Sequence, residues 1–167
     1  MKHSGSAYVS IVLVVLVGYF SYQWWFNPRR AIKRQLGELA ATLSLPPSGA
    51  EIDRIARLAR LRTYFAPDVT ISLGPSGPAV SSRDALIGAV AAWNPPAGDW
   101  TVSFVDVQIT MDSGTTARAY MTVEVQTTDP RTNQPAFDAR EAMVRLAYQE
   151  GAWVVTAGEA VATLQRP

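Results

Sequence analysis

The sequence predicts an α+β protein in which a membrane-spanning helix precedes one folded domain. Three observations support this prediction. Residues 7–26 contain no charged side chain. Residues 28–93 carry apolar side chains at helical spacing, interrupted by one short strand segment. From residue 101 onward the apolar period changes to two, which is typical of β-strands. We therefore expect three helices packed on a curved antiparallel sheet.

The apolar stretch at 7–26, AYVSIVLVVLVGYFSYQWWF, is long enough to cross a bilayer. As a helix it would span about 30 Å, the thickness of the hydrocarbon core. Aromatic rings and cations that favour the headgroup layer lie at its C-terminal end, and we expect the interface anchors to be Trp24, Trp25, Arg29 and Arg30. A cleaved signal peptide is the alternative, but bulky residues occupy the place of a cleavage site. We predict an uncleaved, single-pass anchor.

Two rules disagree about the side of the membrane on which the domain lies. Four cations lie within residues 29–34 and a single lysine, Lys2, precedes the stretch, which by the positive-inside rule leaves the domain in the cytoplasm. A short tail with a lysine ahead of an uncleaved apolar run instead exports the downstream domain. The four cations also form the polar face of the next helix. We therefore expect the domain on the extracytoplasmic side of a bacterial inner membrane.

The domain organisation is set by the anchor. Residues 1–6 form a short tail, residues 7–26 the anchor, and residues 27–167 one domain with a single core. The domain contains 14 basic and 14 acidic residues, because Lys2 is the only Lys, Arg, Asp or Glu before it. Nucleic-acid binding thus has no electrostatic basis.

The reactive residue types that the chain lacks exclude several chemistries. There is no cysteine, and the one histidine, His3, precedes the domain. The domain therefore has no thiolate or imidazole metal ligand, no cysteine nucleophile and no Ser-His-Asp triad. We expect no cofactor and no metal.

Three helices are expected in the domain. The first runs from about Pro28 to Leu43 and ends at the Pro-Pro-Ser-Gly break at 46–49. The second covers about residues 50–65, and a short strand at 69–73 comes next. The third begins near Ser81, which lies three residues ahead of Asp84 in a capping-box pattern. The apolar stripe of the second helix comprises Ile52, Ile55, Leu58, Leu61 and Phe65.

Four long strands are expected after residue 100. We place them at 101–112, 116–128, 136–149 and 152–164. Their short connections, which include a Glu150-Gly151 turn, predict an antiparallel meander. In the first strand the apolar positions shift phase after Phe104, which predicts a bulge that bends the sheet.

The order helix, helix, strand, helix and four long strands resembles the nuclear transport factor 2-like superfamily. The similarity covers about residues 29–164. The segments most typical of the family are TYFAPDV and, after it, SSRDALIGAV. It implies a curved sheet wrapped around helices as a cone. Ketosteroid isomerases, polyketide cyclases, scytalone dehydratases and many non-enzymatic modules share that fold. The chain is most similar to membrane-anchored bacterial members, and its motifs identify the fold rather than an activity.

Four polar residues of the long strands are candidates for a pocket or a polar network. Tyr120 and Glu124 share a face of the second long strand, and Asp138 and Arg140 share a face of the third. Side chains that converged inside the cone could bind a polar ligand. The alternation of apolar residues instead favours an outward position for Tyr120 and Glu124. Asp68 lies in a turn, where bonds to backbone N–H groups are expected. We assign no catalytic, cofactor-binding or metal-binding residue.

On these grounds we predict a non-catalytic, membrane-anchored accessory or interaction subunit. Its expected partners are the lipid bilayer and other subunits of a photosynthetic, respiratory, secretion or transport complex. The last strands are apolar on both faces, which predicts either a homodimer through the open sheet or a thicker core. Two alternatives stay open. One is a small-molecule-binding or isomerase/cyclase-like enzyme that uses the cone pocket, and the other is a secretion-system scaffold.

Overall fold

The computed structural model describes residues 13–16, 27–44, 51–72, 74, 79–92, 100–128 and 134–160. Within the domain these residues form three helices and one six-stranded sheet. The helices are α1 (Pro28–Leu43), α2 (Glu51–Arg62) and α3 (Arg83–Ala92). The strands are β1 (Phe65–Ser72), β2 (Ala79–Val80), β3 (Trp100–Met111), β4 (Thr116–Thr128), β5 (Pro135–Gln149) and β6 (Ala152–Ala160).

Helix α1 has the predicted bounds because both of its ends are capped. The Asn27 side chain accepts a hydrogen bond from the Arg29 backbone N–H at 3.1 Å, and Pro28 occupies the first turn. At the other end the Ser44 N–H donates to the Ala40 carbonyl. The helix buries one stripe against the sheet: Ile32, Leu36, Leu39, Ala40 and Thr42.

Among its described side chains, helix α2 fully buries only Leu61, which lies near its C-terminal end. Leu61 is 1% exposed, whereas Ile55 is 64% exposed, so the predicted apolar stripe is wrong at Ile55. It is also wrong at Phe65, which belongs to β1 and not to α2. The side chain of Ile52 lies outside the described residues. An apolar period identifies the apolar face of a helix. Tertiary packing decides how much of that face is covered by other elements.

Helix α3 begins one residue later than the capping pattern suggested. The Ser82 hydroxyl, rather than that of Ser81, accepts a hydrogen bond from the Ala85 backbone N–H at 3.2 Å. Asp84 does not complete a capping box, because its carboxylate is paired with the Arg62 guanidinium from α2. This ion pair ties the two helices together.

The sheet has the strand order β2-β1-β6-β5-β4-β3. Strands β3 to β6 form the predicted antiparallel meander. Strand β1, however, pairs with β6 in parallel, so the sheet is mixed, and the prediction of a wholly antiparallel sheet is wrong. Parallel strands are joined by a long crossover connection, so the two partners lie far apart in the sequence. The apolar period of one strand identifies that strand but not the direction of such a distant partner.

Two predicted backbone features are confirmed. The register of β3 against β4 shifts between Val105 and Gln108, and Asp106 has a φ of 53°. This bulge keeps the apolar residues on both sides of it turned toward the helices. At the β5–β6 turn, Glu150 and Gly151 have φ values of 49° and 87°, the pair of positive angles that a type I′ hairpin turn requires.

The membrane prediction is corrected by the structure. In the described part of the chain, no helix is long and apolar enough to cross a membrane. The predicted inner-membrane, single-pass location and the assigned side of the domain are therefore contradicted. Residues 13–16 are helical, while the rest of the 7–26 segment, with Trp24 and Trp25, lies outside the described residues. Arg29 and Arg30 are exposed residues of the first turn of α1.

Candidate functional site

An apolar cavity of about 390 Å³ lies between the three helices and the sheet. Residues of β1, β3, β4, β5 and β6 form one side of it, and residues of α1, α2 and α3 form the other. Every described lining residue is apolar. They are Leu36, Leu39, Leu43, Leu61, Phe65, Ile71, Leu86, Ile87, Val90, Phe104, Met121, Val123, Ala142, Val144 and Val155.

Strand pairing explains why the sheet side of the cavity is apolar. Met121 of β4 lies directly opposite Ala142 of β5, and directly opposed residues project from the same face of a sheet. Alternate residues along each strand share that face, which adds Val123 on β4 and Val144 on β5. The period-two pattern of the sequence thus becomes one wall of the cavity.

Gly158 on this wall makes room for a neighbouring side chain. Gly158 of β6 lies opposite both Val144 and Ile71. A Cβ atom built on Gly158 would lie 2.8 Å from Cδ1 of Ile71 and 3.7 Å from Cγ1 of Val144. Because glycine has no side chain, Ile71 can pack directly over the β6 backbone at the edge of the cavity.

The size and lining of the cavity define what it can hold. Ligand pockets usually measure about 300–1,000 Å³, so a cavity of about 390 Å³ suits one compact molecule. Cavities lined by Leu, Ile and Phe stay dry and accept apolar guests. None of the described lining residues is ionisable. The described wall therefore supplies no general base, and the described part of the chain has no acidic or histidine cluster that could hold a metal ion.

The structure separates the four polar residues that the sequence singled out. Tyr120 and Glu124 lie on the outer face of β4, opposite to the face of Met121. Tyr120 is 45% exposed, and Glu124 accepts a hydrogen bond from the Ser103 hydroxyl at 3.3 Å. Their predicted outward position agrees with this placement.

Asp138 and Arg140 lie on the other face of the sheet, the one that bears the cavity. Arg140 is opposite Val123 and Asp138 is opposite Val125. Nε of Arg140 lies 3.1 Å from Oδ2 of Asp138, and both side chains are largely exposed. They are beyond Ala142, so the pair borders the cavity side of the sheet without lining the cavity. The structure thus brings Asp138 and Arg140 together, away from Tyr120 and Glu124.

The outer face of the sheet carries its own polar contacts. Arg118 binds Asp112 through two nitrogen atoms, with Nη2 2.7 Å and Nε 3.0 Å from Oδ1. The hydrogen bond to Asp112 is the main cause that raises the pKa of Arg118. Tyr120 also borders an open depression with Asp106 and Glu141. The homodimer through the open sheet stays a prediction.

Arg83 is a polar residue near the cavity that the sequence patterns did not single out. It is the first residue of α3, and Leu86 and Ile87 of the following turn line the cavity. Its Nη1 lies 3.5 Å from the carbonyl oxygen of Phe65, another lining residue. Its Nε is buried and has no hydrogen-bond partner among the described residues. The sequence signal that could have identified it is its spacing. Arg83 precedes Leu86 by three residues and Ile87 by four, so it lies on the same side of the helix as these apolar residues.

Fold and cavity together define a cone-shaped α+β domain of the nuclear transport factor 2-like kind. Residues 51–158 match the family model of the SnoaL-like domain. The match covers more than half of the chain, and the chain belongs to the SnoaL-like domain family. No curated protein sequence matches the chain.

Solved structures share this fold at low sequence identity. An NTF2-like protein with a cystatin-like fold from Novosphingobium aromaticivorans has a TM-score of 0.67 at 11% identity, over 90% of this chain and 92% of that one. A candidate scytalone dehydratase from the same bacterium has a TM-score of 0.61 at 15% identity, over 80% and 82%. A type 2 hexachlorocyclohexane dehydrochlorinase has a TM-score of 0.62 at 11% identity, over 81% and 84%. At these identities the likeness establishes the fold alone.

These comparisons correct the predicted function. The chain was expected to be a non-catalytic accessory subunit of a membrane assembly. It instead belongs to the SnoaL-like family, and its structural neighbours include a dehydratase candidate and a dehydrochlorinase. The same findings contradict the prediction that the chain is not an enzyme. The lack of histidine and cysteine in the domain does not exclude catalysis, because Asp, Glu, Lys and Tyr side chains also act as general acids and bases.

Proposed function

We propose that this domain is a small-molecule-binding or isomerase/cyclase-like enzyme that takes an apolar, ring-sized compound into the cone cavity. The observation that carries the proposal is the apolar character of every described residue that lines the cavity of about 390 Å³ between the helices and the sheet. Membership of the SnoaL-like family and the enzymes among the structural neighbours support it.

The energetics of such a site favour moderate affinity. Apolar burial contributes about 25 cal/mol per Å², so a fused bicyclic molecule that loses about 300 Å² of exposed surface gains roughly 7 kcal/mol. Association and ordering costs offset part of this gain. The expected dissociation constant for a purely apolar compound is therefore in the high micromolar to millimolar range.

Catalysis by this domain requires an ionisable side chain near the bound compound. Isomerase and cyclase reactions move protons, and a general acid or base must lie within hydrogen-bond reach of the reacting atom. The described lining provides none, so the candidates are polar groups that lie near the cavity without lining it. These are the Asp138–Arg140 pair on the cavity face of the sheet and Arg83, whose Nη1 lies 3.5 Å from the Phe65 carbonyl oxygen.

A cavity-filling substitution tests the proposal. Ala142 lines the cavity, whereas Ala139 lies on the opposite face of the same strand, across from Glu124. Ala142→Leu adds three carbons to the cavity, and Ala139→Leu adds the same three carbons to an exposed surface. Binding of 2-methylnaphthalene to the full-length protein is measured by equilibrium dialysis for the wild type and both variants.

We expect the wild type and Ala139→Leu to bind 2-methylnaphthalene with equal affinity and Ala142→Leu to bind it at least tenfold more weakly. Equal binding by all three proteins would place the compound outside the cavity and refute the proposal. Absence of binding to the wild type would refute it as well. Conversion of bound ring compounds, followed by mass spectrometry, tests the catalytic part.

A further inference from the structure

A polar groove lies on the surface between helices α1 and α2. This α1–α2 groove has a volume of about 620 Å³ and is open to solvent. Helix α1 contributes Glu38 and Ala41 to its lining, and helix α2 contributes Ala56, Arg57 and Arg60. None of the described residues that line the groove also lines the apolar cavity. The groove is therefore separate from the cavity.

The four arginines of α2 have two different roles. Arg54 and Arg62 bind groups of α3 and so hold the two helices together. Arg57 and Arg60 line the α1–α2 groove. In the described part of the chain neither of these two guanidinium groups has a carboxylate within ion-pair distance or a hydrogen-bond acceptor. Like charges three residues apart on a helix repel each other, so an anion that binds between Arg57 and Arg60 removes an unfavourable interaction.

Tyr64 supplies a further hydrogen-bond donor to the groove. The residue lines the groove and is 7% exposed. Its hydroxyl has no hydrogen-bond partner among the described residues. The hydroxyl is nevertheless reached by solvent, because Nε of Arg83 is the one side-chain polar atom in the described part of the chain that is both buried and unpartnered. The Tyr64 hydroxyl can therefore donate to a ligand in the groove.

These donors match the chemistry of a phosphate monoester. Such a group carries a charge of about −1.5 to −2 at pH 7 and has three acceptor oxygens, so it balances two guanidinium groups, whereas a monocarboxylate balances one. Guanidinium groups recognise phosphate through paired N–H donors. The acidic residue of the groove is Glu38, whose Oε1 lies 3.9 Å from Nε of Arg34. This ion pair offsets part of the repulsion between Glu38 and a bound anion.

We propose that the α1–α2 groove is a second ligand site, which binds a phosphate monoester with a small polar organic part. Arg57 and Arg60 bind the phosphate oxygens, and the Tyr64 hydroxyl donates a hydrogen bond to the same group. The volume of the groove exceeds that of the phosphate, which leaves room for the organic part. This site goes beyond the proposed function and does not depend on it.

Three small probes test the site and its preference for phosphate. Glycerol 3-phosphate, glycerate and glycerol share a short polar skeleton and carry a phosphate, a carboxylate and no charge, respectively. None of them has an apolar ring system that would suit the cavity. Isothermal titration calorimetry is carried out at low salt and about pH 7.5, where the phosphate is mostly a dianion. The full-length wild type is compared with Arg57→Met, Arg60→Met, Glu38→Gln and the matched control Arg145→Met. Arg145 is an exposed arginine on the outer face of β5, opposite Arg118.

In the wild type we expect glycerol 3-phosphate to bind more tightly than glycerate, and glycerol not to bind. Arg57→Met and Arg60→Met should each weaken the binding of glycerol 3-phosphate by about tenfold, because each removes charge-assisted hydrogen bonds. Glu38→Gln should strengthen it by roughly twofold to threefold, because it removes a repulsive charge. Arg145→Met should bind as the wild type does. Thermal melts by circular dichroism verify that every variant is folded.

Several results would overturn the inference. Equal affinities of Arg57→Met, Arg60→Met and Arg145→Met for glycerol 3-phosphate would place the phosphate outside the groove, and so would weaker binding to Glu38→Gln. Glycerate that binds as tightly as glycerol 3-phosphate would refute the preference for phosphate. Absence of binding of glycerol 3-phosphate to the wild type would refute the site itself. Each of these results is independent of whether 2-methylnaphthalene binds in the cavity.

Discussion

Helix α1 closes the cavity on the side opposite the sheet, and its anchoring to the sheet can be tested at Ile32. Ile32 is completely buried, with an exposed fraction of 0%. Ile32→Ala removes three buried carbons, and at about 0.8 kcal/mol per methylene the loss of transfer free energy alone is about 2.4 kcal/mol. The residual void adds to this loss, because the surroundings relax only partly. We expect the free energy of unfolding to fall by about 3–4 kcal/mol.

Ile55 offers the same chemical change on a helix without the burial. It is 64% exposed on α2, so only about a third of its side chain is withdrawn from water. Ile55→Ala forfeits about 0.9 kcal/mol of burial, and alanine's higher helix propensity offsets part of it. We expect a net change below about 0.5 kcal/mol.

Urea denaturation of both variants measures the difference. Tryptophan fluorescence should follow the loss of packing between the strands, because Trp153, one of its sources, is buried and has its ring centroid 5.5 Å from that of Tyr148. Far-UV circular dichroism provides an independent signal. With a slope of about 2 kcal/mol per M, Ile32→Ala should lower the midpoint by roughly 1.5–2 M. Equal midpoints for Ile32→Ala and Ile55→Ala would refute the assignment of α1 to the core.

Three further substitutions test local features. Gly158→Ala should change the free energy of unfolding by less than about 1 kcal/mol, because Cδ1 of Ile71 can move into the cavity. Equilibrium dialysis should then show weaker binding of 2-methylnaphthalene to this variant. Unchanged binding would contradict the displacement of Ile71 into the cavity. Gly151→Ala should cost about 1 kcal/mol or more in urea denaturation, since φ is 87° there. Glu150→Asn should instead stabilise the protein by a few tenths of a kcal/mol, because asparagine tolerates the φ of 49°. The reverse order of the two turn variants would exclude a type I′ turn.

The sequence predicted the elements of the domain well wherever local signals were strong. The bounds of α1 follow from Asn27 and Pro28 at its start, and those of β4 and β5 follow from period-two alternation between turn residues. The β3 bulge was visible as a phase shift of the apolar positions, and the Glu150-Gly151 turn was visible as a glycine-containing pair. Each of these features depends on residues close together in the chain.

The site was less predictable because it depends on non-local placement. Tyr120 and Asp138 carry the same kind of sequence signal, a polar residue on a strand, yet one lies on the outer face and the other on the cavity face. Arg83 resembled part of a helix cap, and only the fold shows that its Nη1 meets the Phe65 carbonyl, 18 residues earlier in the chain. Burial of a polar atom cannot be derived from its own sequence neighbourhood.

The sequence by itself determined the α+β class, the order of the elements and the absence of histidine and cysteine chemistry from the domain, because period, capping residues and composition are local properties. The tertiary structure alone decided the parallel pairing of β1 with β6, the exposure of Ile55, and the apolar cavity with Arg83 beside it. These features arise where segments distant in sequence meet. Their energies depend on which surfaces are removed from water together, and an apolar pattern along one segment does not specify its partner.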